Sequence, residues 1–179
     1  PIVIKPINEG SSLGVYICKN IKILKRNYKK LIAKYERILV EEYIPGKEIQ
    51  VAVMGKKALG AIELIPKRNF YDYTAKYSAK AQTKHIMPAS IPKNKYNEVL
   101  ILAKRAHKSL SCRGITRSDF RFYKNQFYLL EINTQPGMTS LSLVPEIAQY
   151  SGINFEELVA WIAKDASYNR WKKYIESFF

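Results

Sequence analysis

Asp119, Glu131 and Asn133 stand on either side of a short polar turn within the stretch Arg117 to Asn133. Two carboxylates and an amide are hard oxygen donors of the kind that suit Mg²⁺. Both flanks, Phe120 to Tyr123 and Phe127 to Ile132, are aromatic and aliphatic runs of strand length, and Lys124-Asn125-Gln126 reads as a three-residue connection between them. A hairpin centred on Asn125 sets Asp119 opposite Glu131 and Arg117 opposite Asn133. All four then share one face, with opposed side-chain roots roughly 5 Å apart. Facing carboxylates repel unless positive charge lies between them, and a divalent cation supplies it. Register decides the matter, because a slip of one residue sends Asp119 and Glu131 to opposite faces. The same spacing also suits an ordinary hairpin with a solvated polar face.

The rest of the chain must position these groups. Ile2-Val-Ile4 reads as a short buried strand ending at Pro6, followed by a glycine- and serine-rich tip, Asn8 to Gly14, and a return run, Val15 to Cys18. Asn20 can cap a helix whose apolar positions Leu24, Tyr28, Leu31, Ile32 and Tyr35 recur at helical spacing. Strand signals return in Ile38 to Tyr43, in Glu48 to Val53 and, after a Gly55-Lys-Lys turn, in Ala58 to Ile65. A tyrosine-rich stretch, Asn69 to Lys80, interrupts the pattern. A second helix is expected over Lys95 to Leu110, with Val99, Leu102, Ala103, Ala106 and Leu110 inward, and it leads into the acidic hairpin. Asn154 with Glu157 three residues on marks a third helix start before Leu158, Trp161 and Ile162. Many strands and few helices predict an α+β protein of antiparallel sheets flanked by helices.

The chain has 179 residues, 47% of them hydrophobic, enough for one domain or two small lobes. It contains no apolar run of about 18 residues, so no membrane-spanning helix is expected. Residues 1 to 5 open within a core strand and lack the apolar region of a signal peptide, so a preceding N-terminal part is expected. Cys18 and Cys112 lack metal-ligand spacing and read as reduced packing thiols. A formal charge of +15 raises the question of nucleic acid. The lysines are spread along the chain without a cluster or a nucleic-acid-binding motif, which leaves a non-enzymatic basic binding domain as the weaker reading. His85 and His107 are expected to be structural.

Five motifs occur together: Ile4-Lys5-Pro6 with Gly10-Ser-Ser-Leu-Gly14; Val40-Glu-Glu-Tyr43 with Gly46-Lys-Glu48; Tyr71 to Tyr77; Gly114 to Asp119; and Leu130-Glu131-Ile-Asn133-Thr-Gln-Pro136-Gly137-Met-Thr. Their order and spacing closely resemble the D-alanine–D-alanine ligase family of ATP-grasp enzymes, from residue 1 to about 164. The resemblance implies an ATP-grasp fold in two lobes without the family's N-terminal domain. Residues 1–45 would belong to the central lobe, 46–164 to the C-terminal lobe and 165–179 to a tail with no family counterpart.

It further implies an enzyme that joins two D-alanines through an acyl phosphate, with ATP and two Mg²⁺ ions (Mn²⁺ as the alternative), for peptidoglycan precursor synthesis in the bacterial cytoplasm. The complete enzyme would be a homodimer with no nucleic acid or membrane partner, and the isolated chain would be inactive. By the same resemblance Lys5 would contact nucleotide phosphates, and Glu41, Tyr43, Ile44, Glu48 and Phe70 would hold the adenine and ribose. Lys76, on a mobile loop, would reach the transferred phosphate, and Tyr77 would join Ser11 in a hydrogen-bonded set. Arg117 would stabilise the oxyanion; Asp119, Glu131 and Asn133 would hold the metal ions; Gly137, Ser142 and Leu143 would receive the second D-alanine. Glu42 departs from the family, where many members carry lysine. Other ATP-grasp carboxylate–amine ligases share the nucleotide half, so a Mg-ATP-binding module of one of those is the alternative.

Overall fold

The structure, a computed structural model, describes residues 1–10, 12–66, 83–139 and 142–166. Its elements follow in the order β1 (Ile2–Pro6), β2 (Tyr16–Cys18), α1 (Ile21–Ile32), β3 (Ile38–Glu42), β4 (Lys47–Met54), β5 (Lys57–Ile65) and β6 (Lys84–Ile86). There follow α2 (Lys93–Ser109), β7 (Ile115–Tyr123), β8 (Gln126–Asn133), α3 (Leu143–Tyr150) and α4 (Phe155–Asp165). The strands form a three-stranded sheet in the order β2-β1-β3 and a five-stranded sheet in the order β6-β5-β4-β7-β8. Two compact units result, one of Pro1–Lys47, Leu64–His85 and Arg121–Tyr128, the other of Glu48–Glu63, Ile86–Phe120 and Leu129–Phe179.

In the first unit β1 runs antiparallel to both neighbours, with Val3 opposite Ile17 on one side and Glu41 on the other, and Lys5 opposite Leu39. Ile4, Cys18 and Leu31 form the core, with Tyr16, Ile23, Leu24, Tyr35 and Ile38 packed against it. The expected Asn20 cap is present, its side chain accepting the Ile23 N–H at 2.9 Å. The inward face of α1 differs from the expected stripe: Tyr28 and Ile32 are exposed, while Asn27 and Leu31 are buried. Leu24, Asn27 and Leu31 share one face by helical spacing, and the Asn27 carboxamide meets Cys18 Sγ at 3.9 Å. A polar side chain with a partner thus takes a place that apolar periodicity assigned to its neighbour.

In the second unit the inner residues of β4 are buried without alternation, as are those of β5 up to Glu63. That pattern belongs to strands covered on both faces. Val99, Ala103 and Ala106 of α2, Val144, Ile147 and Ala148 of α3, and Leu158 of α4 are buried with them. Leu110, expected to face inward, lies beyond the end of α2 and is 59% exposed. The Asn154 capping box forms in full. β6 lies where no element was expected; α3 is a single eight-residue helix that tolerates Pro145 because it falls in the first turn.

Side chains and loop amides fill part of the outer edge of β5. Tyr96 Oη accepts the Ala61 N–H at 3.0 Å, Ala89 N–H donates to the Ala61 carbonyl at 2.9 Å, and the Ser151 hydroxyl donates to the Leu59 carbonyl. Buried Glu63 accepts the Ser90 N–H at 3.1 Å.

Candidate functional site

In the first unit the site residues are set by the pairing of β1 with β3. Lys5 and Glu41 are diagonal neighbours on one face of that pair, and long side chains reach across such a diagonal. They form an ion pair with Nζ 2.7 Å from Oε1, at side-chain exposures of 18% and 29%. The structure therefore joins two residues to which the family resemblance gave separate tasks. Tyr43 and Ile44 follow the end of the strand half-buried, and the Tyr43 N–H donates to the Pro1 carbonyl at 3.1 Å. Gly46, at φ +99°, sits where any Cβ would collide with the Phe122 backbone, and its carbonyl accepts from Arg121 at 3.2 Å.

The hairpin of β7 and β8 carries most of the second unit's candidates. Its turn corrects the expected register. The connection has two residues, Lys124 and Asn125, both with positive φ (46° and 64°), the signature of a type I′ turn rather than a three-residue loop. The rings of Phe122 and Phe127 stack with centroids 4.6 Å apart, as directly opposed residues do at this turn. Counted back residue for residue, Ser118 comes opposite Glu131, and Asp119 opposite Leu130. Bringing Asp119 and Glu131 onto one face then takes a single β-bulge, which shifts the pairing by one.

Arg117 and Asp119 do share a face. Arg117 Nε donates to Asp119 Oδ1 at 2.7 Å and Nη2 to Oδ2 at 2.9 Å, a bidentate pair at 14% and 7% side-chain exposure. Glu131 is exposed, and Asn133, two residues on and on the same side of β8, accepts the Gln135 N–H at 3.0 Å. Among the described residues no three His, Cys, Asp or Glu side chains gather as a metal cluster. A cation here would rest on the two acids and the amide. Their chemistry fits, since all three offer hard oxygens, but Asp119 would have to share its carboxylate between the ion and Arg117.

Pro136 to Leu143 follows directly. Ser142 Oγ accepts the Thr139 N–H at 3.0 Å and lies 2.9 Å from Thr139 Oγ1, while the Ser142 N–H returns to the Thr139 carbonyl at 2.9 Å. A Cβ at Gly137 would stand 2.8 Å from Ser142 Oγ, so a larger residue there would push that hydroxyl out of the clasp. Leu143 opens α3 and is buried at 6% exposure.

Glu48 lies in β4, nearly buried, and the Gln50 carboxamide Nε2 approaches its Oε1 at 3.4 Å. The sequence reading passed over Gln50; its signal was an amide two residues after an acid in an otherwise apolar strand. Ser11, Phe70, Lys76 and Tyr77, and the tail from residue 167, lie outside the described residues. His107 is buried, with Nδ1 2.8 Å from Thr116 Oγ1, and burial holds it below the ordinary histidine value. That is the structural role expected for it. Burial likewise raises the Cys112 thiol. No described helix is long and apolar enough to cross a membrane.

Comparison with known proteins agrees with this architecture. The family model described as D-ala D-ala ligase C-terminus matches residues 1–164. A D-alanine–D-alanine ligase from Pelagibacter ubique is 59% identical over 170 residues, covering 95% of this chain and 55% of the relative. A crystal structure of the ligase from Bacillus anthracis superposes with a TM-score of 0.80 at 31% identity, covering 92% of this chain and 54% of that one. The same enzyme complexed with ATP gives 0.77 at 28% identity, covering 92% and 53%. The chain thus spans about half the length of these relatives, and the ATP-grasp fold expected from its motifs is the fold it has. With a family model matching it from the first residue into the last turn of α4, this chain belongs to the D-alanine–D-alanine ligase family as that family's C-terminal region.

Proposed function

We propose that this chain is the nucleotide- and metal-binding portion of an ATP-dependent ligase that joins two D-alanines. The observation that carries the reading is the likeness, over 92% of the chain, to the Bacillus anthracis ligase complexed with ATP. In the reaction the carboxylate of one D-alanine takes the terminal phosphoryl group of ATP, giving an acyl phosphate and ADP. The amine of the second D-alanine attacks the acyl carbon, the C–O bond to phosphate breaks, the amine loses a proton, and D-alanyl-D-alanine and inorganic phosphate leave.

Lys5 supplies positive charge to the nucleotide phosphates and is held in place beforehand by Glu41. Glu41 would also receive the adenine amino group beside Tyr43 and Ile44, Glu48 would accept the ribose hydroxyls, and Phe70 would belong to the same nucleotide-binding set. By the family resemblance Lys76 would reach the transferred phosphate, and Tyr77 would join Ser11 in a hydrogen-bonded set. Arg117, fixed by Asp119, presents its guanidinium to the oxyanion of the tetrahedral intermediate. Asp119, Glu131 and Asn133 would hold Mg²⁺, which when bound offsets the charge of the triphosphate. Gly137 and Ser142 present backbone and hydroxyl to the second D-alanine, and Leu143 backs that loop from the core. Positioning and charge neutralisation account for most of the rate, as in other phosphoryl transfers. The dipeptide product belongs to cell-wall precursor synthesis in the cytoplasm, with the full-length enzyme working as a homodimer.

The test is Glu131→Gln in the full-length ligase, followed by ADP release with D-alanine present. ADP formation should be abolished while the circular dichroism spectrum and melting temperature stay those of the wild type. Turnover at the wild-type rate would refute the reading. The 179-residue chain alone, given ATP, Mg²⁺ and D-alanine, should form no dipeptide.

A further inference from the structure

Gln50, in the middle of β4, is fully buried, a costly place for a carboxamide unless both of its ends are satisfied. Its nitrogen has a partner. Nε2 donates to Glu48 Oε1 at 3.4 Å, while Oε1 has no hydrogen-bond partner. The orientation follows from chemistry, because a flipped carboxamide would set its oxygen against the carboxylate, acceptor facing acceptor.

An apolar side chain of the same volume would remove the cost of the orphaned oxygen, so packing alone does not explain a glutamine here. What Gln50 adds is the bond to Glu48. The two side chains leave the same face of β4, two residues apart, and a carboxylate held by a carboxamide loses rotational freedom. The bond also occupies Oε1 of Glu48.

Resting on the reading above, in which Glu48 receives the ribose, we propose that Gln50 is a positioning residue that sets the Glu48 carboxylate to accept ribose hydroxyls and so makes the site selective for ribonucleotides. A half-satisfied amide is then the cost of a correctly aimed acid. Gln50 itself touches no substrate.

The experiment compares KM for ATP, 2′-deoxy-ATP and 3′-deoxy-ATP in the full-length ligase, wild type against Gln50→Met, a substitution of closely similar volume. Wild type should favour ATP over at least one deoxy analogue, and Gln50→Met should shrink that preference by about tenfold, the loss of one hydrogen bond to a charged group. KM for D-alanine and kcat should move less than about twofold. Gln50→Glu places like charge beside Glu48 and should raise KM for ATP, recovering as pH falls and the new acid takes a proton. Equal KM increases for all three nucleotides, or an unchanged preference, would overturn the proposal. A second measurement needs no turnover: hydrogen exchange of the Gln50 carboxamide protons by NMR should accelerate several-fold in Glu48→Ala, and unchanged protection would also overturn it. If the ligase consumed no ATP with D-alanine, the ligase reading would fall, and the exchange rates would still decide the role of Gln50.

Discussion

Replacing Asp119 by alanine takes from Arg117 the carboxylate that holds its guanidinium flat. Both side chains are nearly out of water, at 14% and 7% exposure, and two hydrogen bonds of 2.7 and 2.9 Å join them. Solvent screening is weak at such burial, so the figure for surface pairs, below about 1 kcal/mol, does not apply. Removing one partner of a buried pair costs about 3–5 kcal/mol, mostly because the other charge is stranded. Arg117 keeps further contacts, so the lower end, about 3 kcal/mol, is the expected loss. In a protein of this size each 1 kcal/mol lowers the melting temperature by about 2–4 °C, giving a fall of roughly 6–12 °C. Arg117→Met alone should cost about as much, since it strands the Asp119 carboxylate, which is the more deeply buried of the two. Arg117→Met combined with Asp119→Ala removes both charges and should return to within about 1 kcal/mol of wild type. The assay is urea unfolding of the four chains, followed by circular dichroism in buffer with a chelator and no divalent ion, read as a double-mutant cycle. Additive losses, with no coupling between the two sites, would refute the pair as a structural clamp, and so would Asp119→Ala unfolding within about 0.5 kcal/mol of wild type.

Two further outcomes follow from the geometry. Burial holds His107 below the ordinary value of 6.5, so between the two values the unfolded chain binds more protons than the folded one. Its contribution to stability is complete above about pH 6.5 and is lost as pH falls through the folded value, so the urea-midpoint difference between wild type and His107→Gln should narrow from pH 7.5 to 5. A difference constant across that range would refute this. Gly46→Ala puts a Cβ against the Phe122 backbone at a φ of +99° and should destabilise by at least about 2 kcal/mol in the same urea assay; a loss under about 0.5 would mean that the turn simply relaxes.

Strand positions, both asparagine caps and the order of the motifs were legible because each rests on short-range chemistry: alternation, a side chain reaching an N–H three residues on, glycine where the backbone bends. The turn at Lys124-Asn125 was not. It needs both residues in the left-handed region, and lysine gives no signal for that conformation, so the hairpin centre was read half a residue too far along. The face of α1 was misassigned for a different reason. Tyr28 and Ile32 fit an apolar stripe, but only the tertiary partner Cys18 makes Asn27 welcome inside. Of the site, the acids and Arg117 were visible as residues, and the two-residue spacing of Arg117 and Asp119 along one strand already puts them on one face; the bond between Lys5 and Glu41 was hidden, because it depends on which face two strands present to each other. Gln50 was hidden by its surroundings, a lone amide within a buried strand.

The three contacts that Tyr96, Ala89 and Ser151 make with the Leu59 and Ala61 backbone have a consequence beyond the site. β6 has three residues and β5 nine, so among the described residues β6 leaves part of that strand's outer edge, with its amides and carbonyls, without a strand partner. The tyrosine, the loop amide and the serine occupy those groups in place of a neighbouring strand. They act as stoppers against fibre-like stacking of one copy on the next, a hazard most acute while the protein is newly made and crowded among its own kind.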